Sequence, residues 1–254
     1  MKHIASCSFG KDSLATVILA REHGEPLDEV VYCEVMFDDQ ISGEVPEHRD
    51  FIYNVAIPKL KSWGIPVTVL RSQKTYMDEF FRVCGKRSSC AGKLVGFPLA
   101  GRCAVNGTCK MPPIRKYIRT VGECITYVGI ASDERKRLER NAGTNKVSLL
   151  EKYNVSEAQA KEIAERAGLL SPIYKFAPRN GCWFCPNSRK SELWHILKEP
   201  PDLWNRLLEL DAIPNKAGKL FDYEHRISEI DTAFHLEADQ ISLFDFLPME
   251  GDEQ

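Results

Sequence analysis

The stretch Ile4-Ala5-Ser6-Cys7-Ser8-Phe9-Gly10-Lys11-Asp12-Ser13 decides how this chain is read. Its first four residues read as a short buried strand. The residues after it (Leu14, Val17, Ile18, Ala20-Arg21) read as the opening turns of a helix. A small-residue loop between strand and helix leaves several backbone N–H groups converging on one point. Helix dipole and free amides add there, so the point attracts an oxyanion. Lys11 adds a point charge, and Ser8 and Ser13 add hydroxyl donors. The loop asks for a phosphate. It is not the Walker A loop, which needs glycine where Ala5 stands and Ser or Thr where Asp12 stands.

Outward from the loop, the first half alternates strand and helix. Val30–Met36 and Pro66–Leu70 read as strands, Asp50–Trp63 and Thr75–Val83 as helices. A helix over Pro113–Thr120 leads to a further buried strand over Ile125–Ile130. Such alternation predicts an α/β fold with a parallel sheet flanked by helices. In open sheets of this kind ligands sit beyond the carboxyl ends of the strands. The loop at Ser8 lies at one such end and Phe37-Asp38-Asp39 at another. Ser156–Ala167 reads as a helix with Ser156 as N-cap and Gly168 as its stop. Helices are also expected around Lys190–Lys198 and Asp202–Leu210.

Between Cys84 and Pro113 the periodicity breaks down and Gly, Pro, Ser and Cys crowd in. A structureless run of that length inside a compact domain is commonly functional. The expected organisation is therefore a nucleotide-binding domain over 1–212, carrying a cysteine-rich irregular insertion at about 84–113 and a helical C-terminal part. An acidic tail over 213–254 follows.

Nine cysteines stand in a chain whose start has no apolar leader and no stretch fit to span a bilayer. A cytoplasmic location is expected, where thiols serve as metal ligands or catalytic groups rather than disulfides. Cys182-Trp183-Phe184-Cys185, flanked by Gly181 and Pro186, has the spacing that brings two thiolates to one metal. Cys103 and Cys109 are the candidates to complete a set of four around Zn²⁺ or an iron–sulfur cluster, with Cys90 and Cys124 as competitors. Cys7, Cys33 and Cys84 are expected in the core.

The net charge of -2 argues against a globally basic nucleic-acid binder, but the charge is uneven. Residues 82–146 carry fourteen Lys/Arg against four Asp/Glu, and residues 220–254 one against ten. A charge run is ordinarily a solvated face. Beside a nucleotide site, the basic block would suit a polyanionic second substrate such as nucleic acid.

The loop resembles the PP-loop, Ser-Gly-Gly-x-Asp-Ser, of the N-type ATP pyrophosphatases and the phosphoadenylyl-sulfate (PAPS) reductase family, with Phe9 as its one departure. Further motifs of that family follow in order. They are Phe37-Asp38-Asp39 with Glu47, the Cys103/Cys109-Lys110 segment, Gly129-Ile-Ala-Ser-Asp133-Glu134 with Arg137, and Gly181-Cys-x-x-Cys-Pro186. The likeness covers about residues 1–200. It implies an adenine nucleotide alpha hydrolase-like fold, and its cysteine-rich branch includes adenylyl-sulfate reductases and the sulfur-transfer proteins of DNA phosphorothioation.

The resemblance implies that Ser8, Phe9, Gly10, Lys11, Asp12 and Ser13 bind ATP or a PAPS-like nucleotide, with Gly129, Asp133, Glu134 and Arg137 on the second side. Lys11, Asp12 and Asp38 are the catalytic candidates, assisted by Mg²⁺. It further implies that Cys103, Cys109, Cys182 and Cys185 hold a [4Fe–4S] cluster, with Zn²⁺ as the alternative. The family's reductases accept the sulfonate on a C-terminal cysteine, and this chain has none after Cys185. The expected function is therefore ATP-dependent activation at the α-phosphate for sulfur transfer or modification of an acceptor. The alternatives are a PAPS or adenylyl-sulfate reductase, and a non-catalytic nucleotide-binding accessory module with structural zinc. Gln240-Ile-Ser-Leu-Phe244 resembles the pentapeptide that docks bacterial DNA-associated proteins on the β sliding clamp, as an extended segment with Leu243 and Phe244 in an apolar pocket. The alternative is a short segment packed back on its own domain.

Overall fold

A computed structural model describes residues 1–98 and 103–245, the side chains being described up to residue 238. In chain order the elements are β1 (Lys2–Ser6), α1 (Lys11–Glu22), β2 (Glu29–Glu34), α2 (Pro46–Phe51), α3 (Ile57–Ser62), β3 (Val67–Arg71), α4 (Tyr76–Phe80) and β4 (Leu94–Gly96). There follow α5 (Met111–Val121), β5 (Cys124–Val128), α6 (Arg135–Glu139), β6 (Lys146–Val147), α7 (Leu149–Lys152) and α8 (Glu157–Arg166). The last are α9 (Lys190–Lys198), α10 (Pro201–Ala212), β7 (Lys216–Gly218) and α11 (Ile227–Asp245).

Five strands form one parallel sheet in the order β3-β2-β1-β5-β6. Strand residues alternate between its two faces. Ala5, Val30 and Tyr32 meet α1 and the residues of α2 and α3 in the larger core cluster. Ile4, Val31 and Cys124 meet Tyr117, Ile118 and Val121 of α5 in the smaller one. Helices on both faces explain why all six residues of β2 are buried. α1 is apolar on nearly all sides because it lies between the sheet and the helices α7 and α8.

The helix expected over Asp50–Trp63 is a composite. α2 and α3 are joined by a π-helical segment, Ile52–Ala56. Pro58 is the second residue of α3, and its missing N–H removes one rung from a regular helix at this point. The irregular region 84–113 holds β4, a π-helical turn over Asn106–Lys110 and the start of α5. Ser156 caps α8 through a capping box with Gln159, as its sequence predicts.

The chain divides into two compact units, and the division differs from the expected boundary at 212. The first holds Met1–Glu79 and Ala104–Cys185, the second Phe80–Cys103 and Pro186–Gln254. The second unit contains β4 paired with β7, together with α9, α10 and α11. Its core includes Trp204 and Phe234, whose ring centroids lie 5.9 Å apart, and Trp204 Nε1 donates to Asp231 at 2.7 Å. Residues 213–245 of the expected acidic tail contribute β7 and α11 to this unit. The backbone of Gln240–Phe244 continues α11, where an extended docking segment was expected; its side chains, and residues 246–254, lie outside the described residues. No helix among the described residues is long and apolar enough to cross a membrane.

Candidate nucleotide site at the carboxyl edge of the sheet

The loop Ser8–Ser13 joins β1 to α1 and folds around its own side chains. Ser8 N donates to Ser13 Oγ at 3.3 Å, Ser13 Oγ donates to the Gly10 carbonyl at 3.0 Å, and Phe9 N points at Cys7 Sγ at 3.3 Å. Phe9 takes the left-handed conformation (φ 57), which glycine adopts freely and a bulky residue rarely does. Its ring is fully buried and stands edge-on to Tyr32, with centroids 5.2 Å apart. The Phe9 side chain therefore enters the core, away from any ligand face of the loop.

Four residues outside the loop hold it. Tyr174 Oη accepts the Lys11 backbone N–H at 2.7 Å, and Asn180 Nδ2 donates to the Ser8 carbonyl at 3.0 Å. His48, also fully buried, places Nε2 at 3.3 Å from the same carbonyl and Nδ1 at 2.8 Å from Ser171 Oγ. A carbonyl only accepts, so Nε2 carries the proton and Nδ1 accepts from the Ser171 hydroxyl. Burial pushes the His48 pKa below its ordinary value. Two glycines make the fit possible. A Cβ on Gly10 would lie 2.4 Å from Asn180 Oδ1, and one on Gly129 would lie 2.6 Å from Ser13 N. Sequence reasoning missed His48, Ser171, Tyr174 and Asn180. Of these, His48 directly follows Glu47 and Asn180 directly precedes Gly181-Cys182, so two stood beside a motif residue.

Beyond the loop lies a cleft of about 560 Å³. It opens where strand order reverses around β1, between the ends of β1 and β5, the switch point at which open sheets bind ligands. Ser8, Ser13 and Gly129 form one wall, with Val31, Val128 and Ile130 as its apolar part. Lys110, Arg137, Arg140 and Lys146 supply the charge, and no carboxylate is among the described lining residues. Cys7 and Cys33 also face the cleft, and burial pushes both thiols up to about 11.

The other expected site residues are engaged around this cleft. Lys11 Nζ pairs with Asp12 at 2.8 Å and with Glu157 at 3.0 Å. Burial works against the Lys11 charge, but these two carboxylates outweigh it and the net shift is upward. Asp12 is also shifted up, because burial outweighs its bond to Lys11. Asp133 accepts the Glu157 N–H at 3.2 Å, at the start of α8. Glu134 accepts Ala131 N at 3.0 Å and pairs with Arg137. Asp38 closes its own turn by accepting from Gln40 N at 2.9 Å and Ile41 N at 2.7 Å. The structure thus brings Ser8, Ser13, Gly129 and Arg137 to the cleft itself. Lys11 and Asp12 are paired with each other, Asp133 and Glu134 accept backbone N–H groups of Glu157 and Ala131, and Asp38 sits in a turn after β2.

Of the expected thiols, Cys109, Cys182 and Cys185 belong to this unit and Cys103 to the other. Cys109 is fully buried, with Sγ 3.4 Å from the Thr75 carbonyl. Cys182 and Cys185 flank a tight turn closed by Cys185 N donating to the Cys182 carbonyl at 3.0 Å. The two residues between them anchor that turn. Trp183 Nε1 donates to the Ser42 carbonyl at 2.9 Å, and the Phe184 ring lies 4.2 Å from that of Tyr76. Among the described residues, no group of three or more His, Cys, Asp or Glu side chains is gathered as a metal would require.

Compared with protein-family models, curated proteins and solved structures, the chain matches none. The site is therefore read from its own chemistry.

Proposed function

We propose that the first unit binds an adenine nucleotide in this cleft, with the phosphate chain against Ser8–Ser13, and activates its α-phosphate for modification of an acceptor. The observation that carries this reading is the cleft itself. It combines a strand-to-helix loop, four cationic side chains and an apolar wall of a size that fits a nucleotide. The acceptor oxygen attacks the α-phosphorus and pyrophosphate departs, leaving an adenylated acceptor open to substitution by sulfur. Lys110, Arg137, Arg140 and Lys146 offset the charge that builds on the leaving group. Releasing Lys11 from Asp12 and Glu157 adds a fifth cation.

The described lining residues offer hydroxyls and cations rather than carboxylates, so phosphate oxygens and water would hold an accompanying Mg²⁺. No step is derived through it, nor through a [4Fe–4S] cluster or Zn²⁺. Of the thiols proposed for that centre, Cys109, Cys182 and Cys185 belong to the first unit. Exposed Arg115, Lys116 and Arg119 on α5 and Arg135 and Lys136 on α6 extend the positive surface, which favours a nucleic-acid acceptor.

One observation favours the reductase alternative, namely that Cys7 and Cys33 place thiols in the cleft where the C-terminal segment supplies none. Both are held protonated at neutral pH, which makes them poor sulfonate acceptors.

Calorimetric titration with ATP and PAPS, followed by an ATP-to-AMP assay with nucleic acid as acceptor, tests the proposal. ATP is expected to bind, and Arg137→Ala and Ser13→Ala are expected to weaken it by about tenfold or more. A folded protein that binds neither nucleotide, or variants that bind like the parent, would overturn the reading. PAPS turnover with sulfite release would replace it with the reductase, and ATP binding without AMP formation with the accessory module. Iron, sulfide and zinc analysis of anaerobically purified protein, with and without Cys182→Ser, reports on the thiolate centre.

A further inference from the structure

The second unit carries a thiol pair that the proposed nucleotide chemistry does not use. Val83 pairs with Leu94 in an antiparallel bridge, and Cys84 N donates to the Lys93 carbonyl at 2.8 Å. Gly92 N returns a bond to the Cys84 carbonyl at 3.3 Å, and Lys93 N donates to the Cys90 carbonyl at 3.0 Å. The segment from Cys84 to Cys90 is thereby closed into a loop fixed at both ends. At its neck the Cys84 thiol hydrogen-bonds to Cys90 Sγ, and Ser88 Oγ lies 2.9 Å from the same sulfur. The two cysteines are not alike. Cys84 is 8% exposed, whereas Cys90 is half-buried and reachable from solvent.

We propose that Cys84 and Cys90 form a reversible dithiol–disulfide site, with Cys90 as the attacking sulfur and Cys84 as the resolving one. The backbone bonds at the neck hold the two ends of the loop together, so a bond of about 2.05 Å would be closed by turning the two side chains toward each other. The asymmetry sets the order of events. Cys90 is the thiol that an oxidant in solvent can reach, with Ser88 Oγ 2.9 Å from its sulfur, whereas Cys84 is buried behind it. The oxidant class is a small-molecule disulfide, glutathione disulfide being the probe. The Cys90 thiolate attacks one glutathione sulfur, forming a mixed disulfide and expelling one glutathione thiolate. Cys84 then loses its proton and attacks Cys90 Sγ, expelling the second. The two protein thiols are oxidised, glutathione disulfide is reduced to two glutathiones, and the thiol protons end on them. Because the loop leads directly into β4, the bond would fix the entry to the β4–β7 pair.

The full-length protein is equilibrated in glutathione buffers of increasing oxidised fraction, quenched with an alkylating agent and mapped without reduction. The expected result is a cross-linked pair of peptides carrying Cys84 and Cys90, with neither alkylated at high oxidised fraction. Cys84→Ser should accumulate glutathione on Cys90, whereas Cys90→Ser should leave Cys84 free of it. Hydrogen exchange at Gly92 and Lys93 should slow on oxidation of the parent and not of either variant. The proposal is overturned if both thiols of the parent remain alkylatable. Equal glutathionylation in the two variants overturns it too, as does loss of iron or zinc with Cys90→Ser, which would make Cys90 a metal ligand.

Discussion

Phe9 sets two energies against each other. Its left-handed backbone costs about 1–2 kcal/mol for a residue with a Cβ, and glycine would remove that cost. Its ring is fully buried among the residues of the main core, and emptying such a site costs about 3–5 kcal/mol. Phe9→Gly therefore relieves strain, loses the larger packing term and adds chain entropy to the unfolded state. The net destabilisation is about 2–4 kcal/mol, or roughly 5–15 °C in Tm for a chain of this size. Phe9→Ala loses nearly the same packing but keeps the strain, so it should fall about a further 1 kcal/mol below. Thermal unfolding followed by circular dichroism should rank the parent first, Phe9→Gly second and Phe9→Ala third. A Phe9→Gly protein as stable as the parent, or more so, would refute the claim that packing outweighs backbone strain here. Because Phe9 does not line the cleft, nucleotide affinity of the folded Phe9→Gly protein should stay within about twofold of the parent.

Gly129→Ala forces a Cβ to within 2.6 Å of Ser13 N and 2.7 Å of the Asp12 carbonyl carbon, both backbone atoms that cannot swing aside. It should cost about 1–3 kcal/mol in urea unfolding and weaken nucleotide binding at the same time; an unchanged midpoint would show that the two segments part freely. His48 gives a pH dependence. Its folded pKa is depressed by burial, so its contribution is present above the unfolded value and is lost as pH falls through the folded one. Melting temperature measured from pH 8 to 5 should therefore drop more steeply in the parent than in His48→Gln, whose remaining carboxylates titrate alike. Parallel curves would mean that the imidazole gains no proton on unfolding.

How legible was the site in the sequence? The loop, the strand before it and the helix after it were readable because small residues, a lysine and an apolar period occur within the eighteen consecutive positions from Ile4 to Arg21. Gly129 and Arg137 were reached through motif order, and both line the cleft. His48, Ser171, Tyr174 and Asn180 were not readable. Each acts on the loop across 40 or more positions of sequence, and none repeats at a spacing that marks its role. The acidic C-terminal stretch misled for a related reason. On α11 Glu229 is exposed, Asp231 accepts from Trp204 Nε1, and Ile227 and Phe234 are buried.

The sequence by itself determined the alternation of strands and helices, the small-residue loop between β1 and α1 and the thiol pairs, since each follows from residues close along the chain. Only the tertiary structure decided where the Phe9 ring goes, which cations gather beside the loop, and that Lys11 is paired with Asp12 and Glu157. Those outcomes depend on burial and on charges brought together by strand order, and strand order is set by packing distant segments rather than by neighbouring residues.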